Sequence, residues 1–436
     1  MTYVSSLGKA FEKYRNKVYN HGFSNQQDCS IKDIKEFTIA IKENFDQTIH
    51  INKGPNGLFH AYNTIQINLK DQCIDINNLD LMLEGQVAGI SSSSSNPNDT
   101  IITMESLFSS KLYREDMESF ILYPQKELVP FLEKNLIKSS FIQNSKLLTE
   151  MIQKNDKSII ERDSKGNFRF NPHFRNSFDL KHNLKQITSI DHYKKLVKNE
   201  RELILNIFEE VFNHRNFTGR SGTMFSYEGI GSIYWHMVSK LLLAVQENYF
   251  QSRRLGSRDK IIQTLGSLYY KIRGGLSTEK TPETYGAFPF DPYSHTPIHS
   301  GAQQPGMTGQ VKEEILTRFG ELGCFVRNGE IHFDTSLLRK SEFLDGPKLF
   351  SFYNVNSEKE ELVINKHQLA YTYCQVPIIY TRTDGESKIE LTSKEGKKTQ
   401  YCSNKIDSHM SSSIFCRSGK VAQIDVHINA DKLIKD

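Results

Sequence analysis

The sequence predicts a mainly α body followed by a smaller C-terminal module rich in β-strand, and three observations carry that reading. From Tyr3 to about Thr335, apolar residues recur at helical spacing in segments separated by short polar or Gly/Pro connections. After about Phe343 the pattern changes to β-branched and aromatic runs divided by turn signals such as Asp384-Gly385 and Ser418-Gly419. Roughly ten helical segments of similar length, with no short fixed repeat, suit a toroid of helical hairpins as well as an open solenoid. The expected domains are a helical toroid over residues 1–343 and a β-rich C-terminal module over 344–436.

In chain order, the spacing predicts helices over 4–20, 31–48, 77–90, 101–112, 127–136, 141–155, 190–213, 227–248, 258–273 and 309–320. Ser91 to Ser95 followed by Asn-Pro-Asn-Asp reads as an exposed connection. Strands are expected at Lys348 to Val355, Glu361 to Ile364, Leu369 to Thr381, Lys388 to Thr392 and Val421 to Ile428. Apolar residues alternate in the last of these, which places His427 on the polar side, as a surface or edge residue rather than a ligand.

Composition narrows the function. With 37% hydrophobic and 24% charged residues over 436 positions, the chain has the means to bury a substantial core. The 55 basic and 51 acidic residues leave a net charge of only +4, which gives no reason to expect a nucleic acid partner. The six cysteines are scattered without a C-x-x-C pair or a zinc-type His/Cys cluster, so reduced thiols, a cytoplasmic setting and no metal or cofactor are expected. No apolar run is long enough for a signal peptide or a membrane span. The chain opens directly on a basic helical segment with Lys13, Arg15 and Lys17, as the C-terminal part of a longer protein would. Oligomeric state is left open by the sequence.

Three stretches could carry chemistry. Tyr285 to Gln310 holds four prolines, four glycines, His295, His299, Asp291 and Thr308, and reads as a shaped, pocket-lining loop. It ends in Pro305-Gly-Met-Thr308-Gly309 just before a helix, where free backbone N–H groups suit an anion or serve an ordinary N-cap. Glu228-Gly-Ile-Gly-Ser-Ile-Tyr-Trp235 opens an amphipathic helix that contains the only tryptophan. Glu228 there is either a carboxylate favoured by the helix dipole or a general acid whose pKa is raised by apolar neighbours. Leu112 to Pro124 packs one base, Arg114, and three acids, Glu115, Asp116 and Glu118, between apolar runs, which a solvated face would also show.

The order of these pieces, from Tyr-Arg-Glu-Asp at 113–116 through Gly-Ile-Gly-Ser-Ile-Tyr-Trp at 229–235 to Pro-Gly-Met-Thr-Gly at 305–309 and a strand-rich tail, resembles the catalytic half of inverting glycoside phosphorylases of the cellobiose phosphorylase type. The likeness covers most of residues 1–345. It implies an (α/α)6 barrel flanked by β-rich regions, and cleavage of a glycosidic bond by inorganic phosphate with inversion. On that likeness Arg114 and Asp116 hold the glycosyl unit, with Trp235 and Asp291 also in the substrate site. His295 or His299, with Thr308 and Gly309, contacts phosphate. The partners expected are an oligosaccharide and either phosphate or water. One departure matters: Gly219-Arg220-Ser221-Gly222 stands where the family has its acid in a Trp-Asn-Asp-Gly context. Either Glu228 or another carboxylate such as Asp291 then supplies the proton, or the protein binds glycans without cleaving them.

Overall fold

The computed structural model describes residues 2–22, 28–68, 71, 73–92, 96–124, 133–212, 233–276, 295–296 and 308–434. Two compact units emerge: residues 1–123 together with 232–436, and residues 124–231. The second unit is thus an insertion in the sequence of the first.

The first unit begins with α1 (Thr2–His21) and α2 (Ile31–Ile51), the latter capped by Ser30 accepting from the Asp33 amide and burying none of its residues. A hairpin of β1 (Asn63–Asn68) and β2 (Cys73–Asn78) follows, then α3 (Leu83–Ser91) and α4 (Pro97–Phe108), whose start is fixed by Asn96 as N-cap and Pro97 in the first turn. The short strands β3 (Tyr113–Arg114) and β4 (Ser119–Phe120) end this part.

In the inserted unit, α5 (Ser139–Gln143), α6 (Lys146–Gln153), the hairpin β5 (Ile160–Arg162) and β6 (Phe168–Phe170), α7 (Ser177–Ile187) and α8 (Asp191–Phe212) enclose a core that includes Leu147, Met151, Phe170, Leu184 and Phe208. Glu200 of α8 caps α6. Its carboxylate accepts from Ser145 Oγ at 2.7 Å and from the Lys146 and Leu147 amides at 3.1 and 3.0 Å, where a helix leaves N–H groups unpaired and favours negative charge.

The chain resumes in the first unit with β7 (Ile233–Tyr234), α9 (Trp235–Arg254), α10 (Asp259–Arg273), β8 (His295–Thr296) and α11 (Thr308–Leu322). Helix α9 is the centre of this assembly, with α3, α4, α10 and α11 all packed against it. Trp235, Leu241, Leu242, Val245 and Tyr249 are among its core residues. Burying each such side chain contributes on the order of 2 kcal/mol. α11 approaches α9 so closely at Gly320 that a Cβ there would lie 2.0 Å from Gln246 Oε1, and Gln246 in turn donates to the Thr317 carbonyl at 2.8 Å.

After α11 the chain is strand-rich. β9 (Cys324–Arg327) and β10 (Glu330–Phe333) form a hairpin whose turn, Asn328-Gly329, has both residues at positive φ, 51° and 77°. β11 (Lys348–Tyr353) pairs with β12 (Lys359–Ile364). The strands β13 (Gln368–Tyr373), β14 (Val376–Thr383), β15 (Lys388–Ser393) and β16 (Lys398–Tyr401) precede β17 (Lys405–Ile406), α12 (Ser408–Phe415) and β18 (Val421–Asn429). They assemble as a five-stranded sheet in the order β13-β14-β18-β15-β16, in which only β14 and β18 run parallel, while β17 joins β10 and β9 in a second sheet. Tyr380 of β14 donates to the Leu322 carbonyl at 2.7 Å, tying the larger sheet to the end of α11.

This architecture corrects the expected fold class. Among the described residues about 49% are helical and 24% strand, and their helices do not define an (α/α)6-type toroid. Hairpins interrupt the helical body at β1–β2, β3–β4 and β5–β6, and β7 pairs with β8. The expected helix over 77–90 begins only at Leu83, because residues 73–78 are strand. These strands are two to six residues long, too short for period-two alternation to stand out against neighbouring helical periodicity. Among the described residues no helix is long and apolar enough to cross a membrane.

Gly320→Ala forces a methyl into Gln246 and is expected to cost on the order of 2 kcal/mol in chemical denaturation. Gly8→Ala, in α1 with nothing within 4 Å of the new methyl, serves as the control and should cause no loss. Equal stability of the two variants would show that α11 does not press on α9 as described.

Candidate functional site

The β3–β4 hairpin carries Arg114 and Asp116. A single 3-10 turn, Glu115–Met117, closes it, and Glu118 takes a left-handed conformation with φ 47° to return the chain. This turn is pinned from α10's end: a Cβ on Gly275 would fall 2.2 Å from the Glu118 carbonyl oxygen, so glycine alone fits. Tyr113 and Phe120 pack with Phe108 at centroid separations of 5.0 to 5.2 Å. The Lys271 ammonium sits 3.8 Å from the centre of the Phe108 ring.

On this support Arg114 grips Asp116 in a fork, Nε to Oδ1 at 3.0 Å and Nη2 to Oδ2 at 2.5 Å. The Arg114 hydrogen bond is the chief reason that the Asp116 carboxyl is held below the usual aspartate range, against the opposing effect of partial burial. Arg114 is largely buried and Asp116 exposed, at 14% and 65% of the side chain. The buried Arg114 Nη1 has no hydrogen-bond partner among the described residues, which leaves a donor of fixed direction beside an accessible carboxylate.

Two further segments meet the hairpin. β4 lies against β7, and β7 pairs antiparallel with β8, so Tyr234 stands opposite His295 and Ile233 opposite Thr296. The pairing brings the loop-derived His295 backbone beside the start of α9. Trp235 is fully buried in the helical core, so its indole holds the first turn of α9 in place.

The next residue, His236, was not singled out from sequence, and neither was Glu313 of α11. Glu313 is only 4% exposed, and its Oε1 lies 3.7 Å from His236 Nε2 and 3.1 Å from Lys312 Nζ. The first separation is an ion contact rather than a hydrogen bond. His236 Nδ1 is 3.5 Å from the Tyr234 hydroxyl. Burial first, and then the Lys240 charge, hold the His236 pKa below its ordinary 6.5 although Glu313 pulls the other way. Glu247, further along α9, is shifted up by burial, with the Glu313 charge acting in the same direction. A histidine adjoining the only tryptophan, and a glutamate five positions after Thr308, were the signals available in the sequence.

Of the remaining expected site residues, Glu228, Asp291 and His299 lie outside the described residues. For His295 the structure describes the backbone, in β8, and for Thr308 and Gly309 the backbone at the start of α11. The described contacts thus link the hairpin of Arg114 and Asp116 to β7, β7 to the strand of His295, and His236 at the start of α9 to Glu313 of α11. Groups of this kind can hold sugar hydroxyls and place an anion.

Comparison with known proteins bears on another part of the chain. Residues 128–215 match the GH149 phosphorylase insertion domain 2, within the compact inserted unit at 124–231. The match relates the chain to glycoside phosphorylases. No curated protein matches the chain.

The lowered His236 pKa has a stability consequence. A base with a depressed folded-state pKa binds protons more readily when unfolded, so stability is full above about 6.5, the unfolded value, and falls as the pH drops below it. NMR titration of the His236 ring should give a midpoint below 6.5, and His236→Asn should flatten the stability profile in that range. A midpoint above 6.5 would mean that Glu313 outweighs burial.

Proposed function

We propose that the protein binds an oligosaccharide at the Arg114 clamp and cleaves its glycosidic bond with inversion, with inorganic phosphate as the acceptor. The supporting observation is the convergence of the 113–120 hairpin, the start of α9 and strand β8 on one side of a unit whose inserted neighbour resembles a phosphorylase domain. In this reading Arg114 Nη1 donates to a sugar hydroxyl, and Asp116 accepts from another. Thr308 and Gly309 present a hydroxyl and backbone N–H groups to phosphate, with His295 and His299 adding donors. Trp235 holds the α9 start, and Asp291 completes the sugar site. Phosphate oxygen attacks the anomeric carbon as the glycosidic C–O bond breaks, and Glu228 gives its proton to the departing oxygen. Water in place of phosphate gives the hydrolytic form of the same reaction.

The absence of Trp-Asn-Asp-Gly at 219–222 favours a second reading, in which the pocket holds a glycan without cleaving it. One set of assays separates the two. A panel of disaccharides and glucans is incubated with and without inorganic phosphate, and both sugar phosphate release and glycan binding are measured. The proposal expects phosphate-dependent release, reduced about 100-fold or more in Arg114→Ala and in Glu228→Gln. Full activity in Glu228→Gln would move the acid elsewhere. Binding without turnover would establish the second reading, and neither binding nor turnover would end both.

A further inference from the structure

A polar cavity lies at the opposite end of α9 from His236, where the helical core meets the strand-rich region. It encloses about 350 Å³, within the range of roughly 300–1,000 Å³ common for small-molecule sites. Its lining includes Arg253, Asp334, Ser336, Lys388, His427 and Lys432. Arg253 is seventeen residues after His236 in the same helix, about 25 Å along its axis, so this cavity is separate from the Arg114 site.

The cavity's chemistry is that of an anion site with room for a polar body. Lys388 and His427 face each other across the β15–β18 pairing, and Lys432 follows in the turn after β18. β18 is the central strand of its sheet, and His427 is half-buried there rather than at an edge as its alternation suggested. The three cations are only partly answered. Lys388 Nζ is 2.7 Å from Glu390, but Arg253 Nε lies 3.7 Å from Asp334, and Lys432 Nζ reaches only the Ser387 hydroxyl at 3.4 Å. Counting Arg253, Lys388 and Lys432 against Asp334 and the Glu390 that pairs Lys388, a net charge of +1 is left at the lining. Ser336 is 7% exposed, and its Oγ has no hydrogen-bond partner among the described residues. A buried hydroxyl left unmatched beside under-neutralised cations is completed by an acceptor-rich ligand.

We infer that this cavity binds a small phosphate monoester, its phosphate held by Arg253 and Lys432 and its polar body by Ser336 and neighbouring hydroxyls. A phosphate ester supplies charge and several acceptor oxygens at once, and a neutral sugar would leave the cations unanswered. The inference does not depend on the reaction proposed for the Arg114 site.

Calorimetric titration of the full chain with glucose 6-phosphate, inorganic phosphate and glucose tests it. Glucose 6-phosphate should bind, more weakly as salt is raised, and glucose should not. The double variant Arg253→Ala/Lys432→Ala, at two exposed positions, should weaken binding at least tenfold. Ser336→Ala should weaken it severalfold. No binding by the unaltered chain, or binding retained by the double variant, would overturn the site. Equal affinity for inorganic phosphate would overturn the ester assignment. Circular dichroism of each variant confirms that a lost signal is not lost structure.

Discussion

The geometry of the first unit depends on one buried carboxylate. Glu321, near the end of α11, is 2% exposed and accepts from the Tyr269 hydroxyl at 2.5 Å and from Arg318 Nη1 at 2.7 Å, with Arg273 Nε 3.2 Å away. Arg318 also reaches Glu342 at 2.6 Å. Removing such a charge from water costs several kcal/mol, which only a full set of partners offsets. Here two arginines meet two glutamates, so the cluster is neutral as a whole. Glu342 shows the balance: burial pushes its carboxyl up, and Arg318 pulls it back down. The same partners hold Tyr269 in its protonated form, its pKa raised far above the ordinary value by burial and by the Glu321 charge.

This cluster locks α11 against α10, and the Gln246 contact at Gly320 locks α11 against α9. A helix fixed along one half is fixed along its length, so the Thr308 end of α11 and the Glu313–His236 contact take their positions from interactions made several turns away. The inserted unit interrupts the first unit in sequence. It leaves the first unit after β4 and returns before β7, and those two strands lie against each other. The phosphorylase-like segment is therefore spliced between two strands that carry the candidate site.

Much of the chain was legible where periodicity was long. α8 and α10 follow their apolar stripes, and the strands from Lys348 onward follow their β-branched runs. α9 starts at Trp235 rather than at Glu228, because residues 233–234 are strand, and α11 leaves Val311, Ile315 and Leu316 of its stripe exposed while Glu313, Thr317 and Glu321 are buried. The run Leu369 to Thr381 read as one strand, but it is a hairpin turning at Cys374-Gln375, where both residues have positive φ, 50° and 64°. Neither residue announces such a turn. At 328–329, by contrast, Asn-Gly is a strong turn signal that was absorbed into the helical reading because the flanking strands are only four residues long. In the candidate site Arg114 and Asp116 stood out as a charge cluster, whereas Glu313 looked like one of many surface glutamates in a helix. Its burial arises from the α9–α11 packing, which no local pattern encodes.

The central claim is that the buried Glu321 cluster positions the start of α11 and, through it, the candidate site. Hydrogen exchange of the backbone amides in Glu321→Ala, compared with the unaltered chain, tests it directly. The account predicts that protection falls along the whole of α11, from Val311 to Leu322, and in the first two turns of α9 around His236. Protection lost only near residues 317–322, with the α11 start and His236 unchanged, would contradict it.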